Sequence, residues 1–214
     1  MTAAETAARK ELARTYREMT EIGLTALTSG NVSLRFEGGL LISPMGASAE
    51  TISEEGIVRI GADGAWADGL TPSSEWRLHQ RVYEASPGAD AIVHTHSDHC
   101  VAVSCHCRPL PGFHYLVGVF GGDDVPCVPY NTFGSDELAV DVAEALKARS
   151  ACLMANHGAT ARGRDLRSAL RLAERLEVLC RQYILASILG EPRRLTADDW
   201  ARFHARIGRS GYQK

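Results

Sequence analysis

Short apolar runs alternate along the chain with longer amphipathic segments, and this alternation limits the possible folds more than any other feature. Strands are predicted at residues 32–36, 40–42, 57–60, 91–94, 115–120, 127–129 and 151–155. Helices are predicted at residues 4–27, 71–85, 135–149 and 165–189, with a shorter helix within 192–214. Several successive strands are joined by short turns such as Gly38-Gly39. We therefore expect an α/β fold with a mixed, mainly antiparallel sheet covered by helices.

The bulk composition is that of an ordinary globular protein. The 214 residues are few enough for a single domain over 1–214. A net charge of -3, from 23 basic and 26 acidic residues, offers no broad basic surface to nucleic acid. The first ten residues lack the apolar core of a signal peptide, and no apolar run is long enough to span a bilayer. We expect a cytoplasmic protein without a membrane partner.

The six cysteines favour reduced thiols, because a chain of this size does not need disulfides to fold. Cys105 and Cys107 form a C-x-C pair, but no second pair follows at a zinc-finger spacing. We therefore interpret these thiols as packing residues.

Histidines follow two of the predicted strands. His94 and His96 close the run that begins at Ala91, and His157 follows the run that ends at Ala155. Residues two apart in a strand lie on the same face, so both imidazoles of the first pair can reach one ion. Three imidazoles with an open fourth position form a catalytic zinc site. An isolated H-x-H is more often a surface or core feature, and its position at strand ends is what favours a metal site here.

An acidic residue and two serines lie where the second helix is predicted to begin. Glu75 follows Ser73 and Ser74. Capping and the helix dipole are sufficient to explain an acid at this place. The functional alternative is a phosphate held by backbone N–H groups and serine hydroxyls, with Glu75 as a proton shuttle.

Glycine turns offer further candidate contacts, while the other histidines are not placed beside strand ends. Gly30 and Asn31 can approach an anion, although the same pair is a common helix end. His79 follows Glu75 by one helical turn and is interpreted as its surface partner. His99, close to His96, is a false positive or an outer partner of the metal site.

Four ordered motifs resemble the class II aldolase/adducin family. They are Ser29-Gly30-Asn31-Val32-Ser33, Pro72-Ser73-Ser74-Glu75-Trp76-Arg77, Val93-His94-Thr95-His96 and Asn156-His157-Gly158. The resemblance extends to about residue 190. It implies the three-layer α/β/α fold of that family and retro-aldol cleavage of a ketose 1-phosphate, such as L-fuculose 1-phosphate, to dihydroxyacetone phosphate and an aldehyde.

The resemblance also assigns roles to individual residues. It implies that His94, His96 and His157 bind zinc, or another divalent metal, and that Glu75 is the catalytic acid/base. It implies that Tyr115 donates a proton in the active site of a neighbouring subunit, within a homotetramer whose sites lie at subunit interfaces. The implied phosphate contacts are Gly30, Asn31, Gly46, Ser73 and Ser74.

The sequence departs from the family pattern at two places near the implied substrate. Met45 stands where the aldolases resembled usually offer Thr or Ser to the phosphate, and a thioether has no proton to donate. The family's C-terminal tyrosine is missing from its usual motif after Phe203, which leaves Arg206 and Tyr212 as candidates to replace it. Phe133 matches a family aromatic near the pocket.

Other functions stay open on the same scaffold. The family pattern also includes pentose-phosphate epimerases and sugar-acid decarboxylases, because one fold hosts several chemistries. A non-catalytic interaction module like the adducin head is a further alternative. The complete set of His94, His96, His157 and Glu75 favours an enzyme over that module.

Overall fold

A mixed sheet with helices on both faces forms the framework of the chain, as shown by a computed structural model that describes residues 1–67 and 69–210. The strands are β1 (Asn31–Phe36), β2 (Gly39–Ile42), β3 (Val58–Ile60), β4 (Ala91–Thr95), β5 (Cys127–Val128), β6 (Ala151–Met154) and β7 (Gly158–Gly163). The α-helices are α1 (Ala3–Glu21), α2 (Trp76–Ala85), α3 (Asp98–Ser104), α4 (Asp136–Ala148), α5 (Leu166–Ile188) and α6 (Ala197–Ser210). A 3₁₀ helix spans Tyr115–Phe120.

The strand order confirms the predicted fold class. Within the described residues the strands run in the order β3-β2-β1-β4-β7-β6-β5. Neighbouring strands are antiparallel except β5 and β6, which are parallel. The sheet is therefore mixed and mainly antiparallel, and β4 lies at its centre between β1 and β7.

Successive side chains of each strand enter different cores, because a strand has a period of two. Leu41 and Val93 pack in the core that includes side chains of α1 and α5. Ile42 and Ile92 pack in the core that includes side chains of α2 and α4. His94 follows Ile92 by two residues, so its side chain lies on the α2 side of the sheet. The three layers are thus helices, sheet and helices.

The second helix begins later than predicted, which changes the position of an important carboxylate. The prediction placed its start at residue 71, but α2 begins at Trp76. Pro44 and Pro72 form an isolated antiparallel bridge that holds the preceding segment extended. Glu75 is therefore the N-cap residue of α2 rather than a member of its first turn.

The strand predicted at residues 115–120 is wrong. Val117 N–H donates to the His114 carbonyl over 3.0 Å and Gly121 N–H donates to the Gly118 carbonyl over 3.2 Å, so the turns are 3₁₀ turns. A side chain at Gly118 would clash with the ring of Phe203 on α6. The segment 115–120 packs its apolar side chains under α6 instead of pairing as a strand.

Two elements were not predicted, and both border the candidate site. Four of the six residues of the strand β7 are Gly or Ala, which have weak strand propensity, and it forms because β4 and β6 bond to it on either side. The short helix α3 directly follows the segment that contains His96.

Other bounds differ from prediction in smaller ways. The first helix ends at Glu21, before the predicted residue 27, and Gly23 adopts a left-handed conformation with φ of 76° just beyond it. The predicted bounds of α4 and α5 agree with the structure to within one residue. Among the described residues, no helix combines the length and apolar character that crossing a membrane requires.

The cysteine prediction is correct for some thiols and wrong for others. Cys100, Cys152 and Cys180 are buried and free. Cys105 and Cys107 are free but exposed, so they are not packing residues. They follow α3 in a tight turn, where Cys107 has a positive φ of 50°.

Candidate metal centre and active site

The pairing of β4 with β7 brings the predicted histidines together. Thr95, the last residue of β4, lies opposite Ala159, the second residue of β7. His96 therefore leaves β4 beside the point where His157 enters β7. Gly158 allows this approach, because a side chain there would clash with the Thr95 carbonyl. The sequence suggested that two strand ends converge, and the antiparallel pairing is the physical reason.

Three imidazoles and one carboxylate form a single cluster at this end of the sheet. The ligand atoms of His94, His96, His157 and Glu75 all lie within 4.8 Å of one another. The Nε2 atoms of His94 and His96 are 2.9 Å apart. The three imidazole rings meet edge to face, with centroids 4.8 to 4.9 Å apart. One ion could contact all four side chains.

The carboxylate of Glu75 is buried against this cluster. Its Oε2 lies 3.0 Å from His94 Nε2, and its Oε1 lies 3.5 Å from His157 Nε2. The Asn31 amide donates to Oε2 over 3.0 Å. Oε1 has no hydrogen-bond partner among the residues that the structure describes. One oxygen of Glu75 is thus fixed while the other is available.

The electrostatics of the cluster favour one shared positive charge. Burial by itself would lower the pKa of His94, but the Glu75 carboxylate outweighs burial and raises it. Burial, followed by repulsion from His94, lowers the pKa of His96 to about 3 and that of His157 to about 4. Burial would raise the pKa of Glu75, but His94, His157 and the Asn31 amide lower it instead. A proton or a metal cation can supply the positive charge.

The hydrogen bonds of His94 suit a metal ligand. Its Nδ1 lies 3.0 Å from the Ala159 carbonyl oxygen, which can only accept, so Nδ1 carries a proton. In the neutral ring, Nε2 then presents its lone pair to the cluster. A backbone carbonyl that fixes the tautomer in this way is typical of metal-binding histidines. The donor set fits a divalent cation.

A cavity of about 390 Å³ opens onto the cluster. Its lining includes His96, His157, Glu75 and residues from four loops, with His94 buried behind them. All five of the predicted phosphate contacts line it, namely Gly30, Asn31, Gly46, Ser73 and Ser74. The candidate metal site and the candidate phosphate contacts therefore belong to one cavity.

Both serines predicted to offer hydroxyls to a phosphate line the cavity, whereas two of the nearby backbone N–H groups already donate within the protein. The Ser73 N–H donates to the Ser43 carbonyl over 3.2 Å, and the Glu75 N–H donates to Ser73 Oγ over 3.3 Å. Since Ser73 Oγ accepts that bond, its own proton remains available to a ligand. Ser74 is exposed at the same edge of the cavity.

This arrangement has counterparts among known proteins. Residues 10–184 match the family described as Class II Aldolase and Adducin N-terminal domain. The chain belongs to that family. An L-fuculose phosphate aldolase of Escherichia coli O6:H1 is 44% identical over 195 residues, which cover 89% of this chain and 91% of that protein.

Other relatives widen the range of substrates among these aldolases. A 5-methylthioribulose-1-phosphate/5-deoxyribulose-1-phosphate aldolase of Rhodospirillum rubrum is 41% identical over 186 residues, covering 87% of this chain and 84% of that protein. A solved structure of an L-fuculose 1-phosphate aldolase superposes with a TM-score of 0.89 at 32% identity, covering 97% of this chain and 98% of that one. The chain thus has the class II aldolase fold, and its relatives support a lyase.

Two further predicted residues of this class II aldolase-family chain lie elsewhere. Tyr115 is 53% exposed on the 3₁₀ helix, stacks on His114 with centroids 4.7 Å apart, and is not among the residues that line the cavity. Arg206 lies exposed on α6. Tyr212 is outside the described residues. Met45 and Phe133 do line the cavity, and both are well exposed.

Two histidines occupy positions that the sequence did not predict fully. His99 pairs with Glu177 of α5, with Nδ1 and Oε1 2.5 Å apart, and it is not part of the candidate metal cluster. His79 is fully buried, so the prediction of a surface pair is wrong. Its position one turn before Val82 and Tyr83, both buried, was the available signal that this face of α2 lies on the sheet.

Proposed function

We propose that the chain is a zinc-dependent class II aldolase that reversibly cleaves a ketose 1-phosphate to dihydroxyacetone phosphate and an aldehyde. The observation that carries this proposal is the single cavity in which His94, His96, His157 and Glu75 lie beside Ser73 and the other candidate phosphate contacts. Membership of the aldolase family and the identity to two kinds of sugar-phosphate aldolase support it.

The three imidazoles would hold the metal. Zinc suits three nitrogen donors with an open position, and other divalent transition metals share these ligands. When bound, the ion would act as a Lewis acid toward the ketose carbonyl and its neighbouring hydroxyl. The Ala159 carbonyl would keep His94 in the tautomer that offers Nε2.

Glu75 would move the proton at the reacting carbon. Its Oε1 faces the cluster without a hydrogen-bond donor among the described residues, and so it is the oxygen able to exchange a proton. Its lowered pKa makes it a carboxylate, the form that acts as a base in the synthetic direction. In cleavage, the same group would return the proton to the carbon from which the aldehyde departs.

The phosphate would bind at the edge of the cavity. The hydroxyls of Ser73 and Ser74 would donate to it, with Asn31 contributing the second N–H of its amide. Gly46, with φ of 69° and open space at its Cβ position, and Gly30 would allow the phosphate to approach the backbone.

The proton on the aldehyde oxygen requires a second subunit in this proposal. Tyr115 is exposed and lies outside the cavity of its own chain. We propose a homotetramer in which Tyr115 of one subunit completes the site of the next, within which the chain acts as one catalytic domain.

The identity of the aldehyde distinguishes two candidate substrates. A fuculose-type ketose releases a 2-hydroxy aldehyde, whereas a methylthioribulose or deoxyribulose phosphate releases an aldehyde without that hydroxyl. The exposed aromatic ring of Phe133 gives the cavity edge an apolar character that favours the second type. Epimerase and decarboxylase reactions remain alternatives on the same scaffold.

Product analysis with the purified, zinc-loaded protein tests this function. The protein is incubated with L-fuculose 1-phosphate, 5-methylthioribulose 1-phosphate and their unphosphorylated forms. Release of dihydroxyacetone phosphate is expected from the phosphorylated ketoses. An unchanged carbon count would indicate an epimerase, and a protein that binds no zinc and converts none of these ketoses would indicate an interaction module.

A further inference from the structure

A line of buried polar side chains continues from Glu75 into the space between β1 and α2. Asn31 Oδ1, on the far side of the amide from Glu75, lies 2.5 Å from His79 Nε2. His79 Nδ1 lies 2.6 Å from Ser33 Oγ, which lies 2.7 Å from the Tyr83 hydroxyl. Each of the five side chains belongs to a residue that is at most 5% exposed. Water therefore cannot substitute for any of these partners.

The sheet and the helix together explain this line. Asn31 and Ser33 are two apart on β1 and so share one face, the face covered by α2. His79 and Tyr83 are one turn apart on α2 and so share the side that lies on the sheet. Asn31 also lies directly opposite His94 in the β1–β4 pairing, which places its amide beside the cluster.

The donors and acceptors allow one direction along the line. Because Asn31 donates from Nδ2 to the Glu75 carboxylate, its Oδ1 faces His79 and must accept. His79 Nε2 therefore carries a proton. Burial lowers the pKa of His79 to about 3, so the ring is neutral and Nδ1 must accept from Ser33. Ser33 then accepts from Tyr83.

We propose that His79 is a positioning residue, which holds the Asn31 amide in the orientation that anchors Oε2 of Glu75 and leaves Oε1 for the substrate. This inference rests on the proposed function of Glu75. The terminal torsions of Asn and Glu are broad and roughly two-fold, so burial alone does not choose between their two orientations. The single N–H of a neutral His79 makes that choice for Asn31, and Asn31 makes it for Glu75.

Two conservative substitutions separate the contributions of the two ring nitrogens of His79. In His79→Gln the amide reaches the position of Nε2 and can still donate to Asn31. In His79→Asn the shorter amide reaches only the position of Nδ1, so it keeps the contact with Ser33 and loses the contact with Asn31. Both variants remove one of two buried hydrogen bonds and neither adds a charge, so they are matched in hydrogen bonds lost and in charge.

Steady-state kinetics on the zinc-loaded variants test the positioning role. His79→Asn is expected to lower kcat about 10- to 100-fold, with zinc content unchanged, while His79→Gln restores most of the loss. Tyr83→Phe is the control, because it removes the far end of the line and leaves Asn31 untouched. Equal kcat in His79→Asn and His79→Gln, or losses that follow only their thermal stability, would overturn the proposal.

A measurement on the wild-type protein tests the same inference without activity. The ¹⁵N shifts of the His79 ring, assigned by comparison with His79→Gln, report which nitrogen carries the proton. We expect the Nε2–H tautomer at neutral pH. An Nδ1–H tautomer, which leaves Nε2 without a proton to donate to Asn31, would overturn the inference. If the wild-type protein cleaves no ketose phosphate, the proposed function fails, and the tautomer alone then decides whether His79 orients Asn31.

Discussion

The floor and the rim of the cavity are built differently. The floor, defined as Asn31, Glu75 and His94, is at most 5% exposed, and strand pairing and the N-cap of α2 fix its positions. The rim, defined as Met45 and Phe133, is 58% and 67% exposed and lies on loops. In the proposed function, the floor would determine which bond is activated, whereas the rim would determine which substrate fits. Loops on a rigid scaffold can change without disturbing the sheet.

The largest effect is expected from the floor. Glu75→Gln keeps the size of the side chain and removes its charge and basicity. It should lower kcat by about 10²- to 10⁴-fold, because one group would transfer the proton at carbon in both directions. Zinc content, measured by atomic emission, should stay near one ion per subunit. Wild-type turnover by this variant would exclude the role given to Glu75.

Mixing subunits tests whether the floor of one chain needs a residue from another. Tyr115→Phe should also lower turnover strongly. When Tyr115→Phe and Glu75→Gln subunits are unfolded and refolded together, random assembly should restore about a quarter of the sites, since each restored site takes one intact residue from each type. A mixture no more active than its components would contradict sites shared between subunits.

Metal removal tests the floor through stability. If zinc is present at about 1,000 times its Kd, its loss lowers the free energy of unfolding by about 4 kcal/mol, or about 8 to 16 °C in Tm for a chain of this size. Chelator should produce this shift in the wild-type protein and little shift in His157→Ala. His106→Ala, which alters an exposed histidine outside the cluster, should respond like wild type.

A smaller effect is expected at the rim. Met45→Ser adds a hydroxyl beside the candidate phosphate contacts and should lower KM for phosphorylated ketoses about 2- to 10-fold, the range of one hydrogen bond. Its kcat should change little, because the floor is untouched. Val140→Ser, an equally exposed apolar position on α4, is the control. A large loss of kcat in Met45→Ser would show that floor and rim are not separable.

The smallest effect on catalysis is expected from Glu177, which supports the start of α3 behind the floor. The Glu177 carboxylate accepts hydrogen bonds from the backbone N–H groups of His99 and Cys100 at the start of α3, over 3.1 and 2.9 Å. Burial would raise the pKa of Glu177, but its contacts with His99 and these N–H groups lower it from 4.5. Ionised Glu177 thus stabilises the folded state above pH 4.5, and this contribution is lost as the pH falls through its lower folded pKa.

Denaturant unfolding of Glu177→Gln from pH 7 to pH 3 measures that contribution. The variant should be about 1 to 3 kcal/mol less stable than wild type at pH 7, and the difference should shrink on acidification. The exposed Glu174→Gln, one turn away on α5, is the control and should show neither effect. A difference that is independent of pH would assign the loss to packing rather than to charge.

Much of the sheet and the metal cluster followed from sequence pattern. The apolar run before His94 predicted β4, and the position of His157 after another run predicted that the imidazoles meet. The strand β7 could not be predicted this way, because its residues, mainly Gly and Ala, become a strand only through their neighbours. The histidines meet because β7 pairs with β4, so the sequence pattern predicted that they converge but not the strand pairing that causes it.

The buried polar network between β1 and α2 was not predicted, for a different reason. The alternation of Val32 and Leu34 with polar residues is typical of a strand with one solvent-exposed face. Asn31 and Ser33 nevertheless face α2 and are buried. A period of two identifies which residues share a face but not what covers that face. Likewise, His79 was predicted to pair with Glu75 on an exposed helix surface, but that face of α2 is covered by the sheet and His79 is buried.

The register of the central strands, in which Asn31 pairs with His94 and Thr95 with Ala159, must be correct when the chain folds. A slip of one residue between these strands would send the His94 side chain to the opposite side of the sheet. Such a misfolded chain would possess every ligand and yet capture no ion. If the site binds zinc as proposed, uptake of zinc during refolding would report correct pairing of the central strands, and a spectroscopic metal such as cobalt could make that uptake visible in real time.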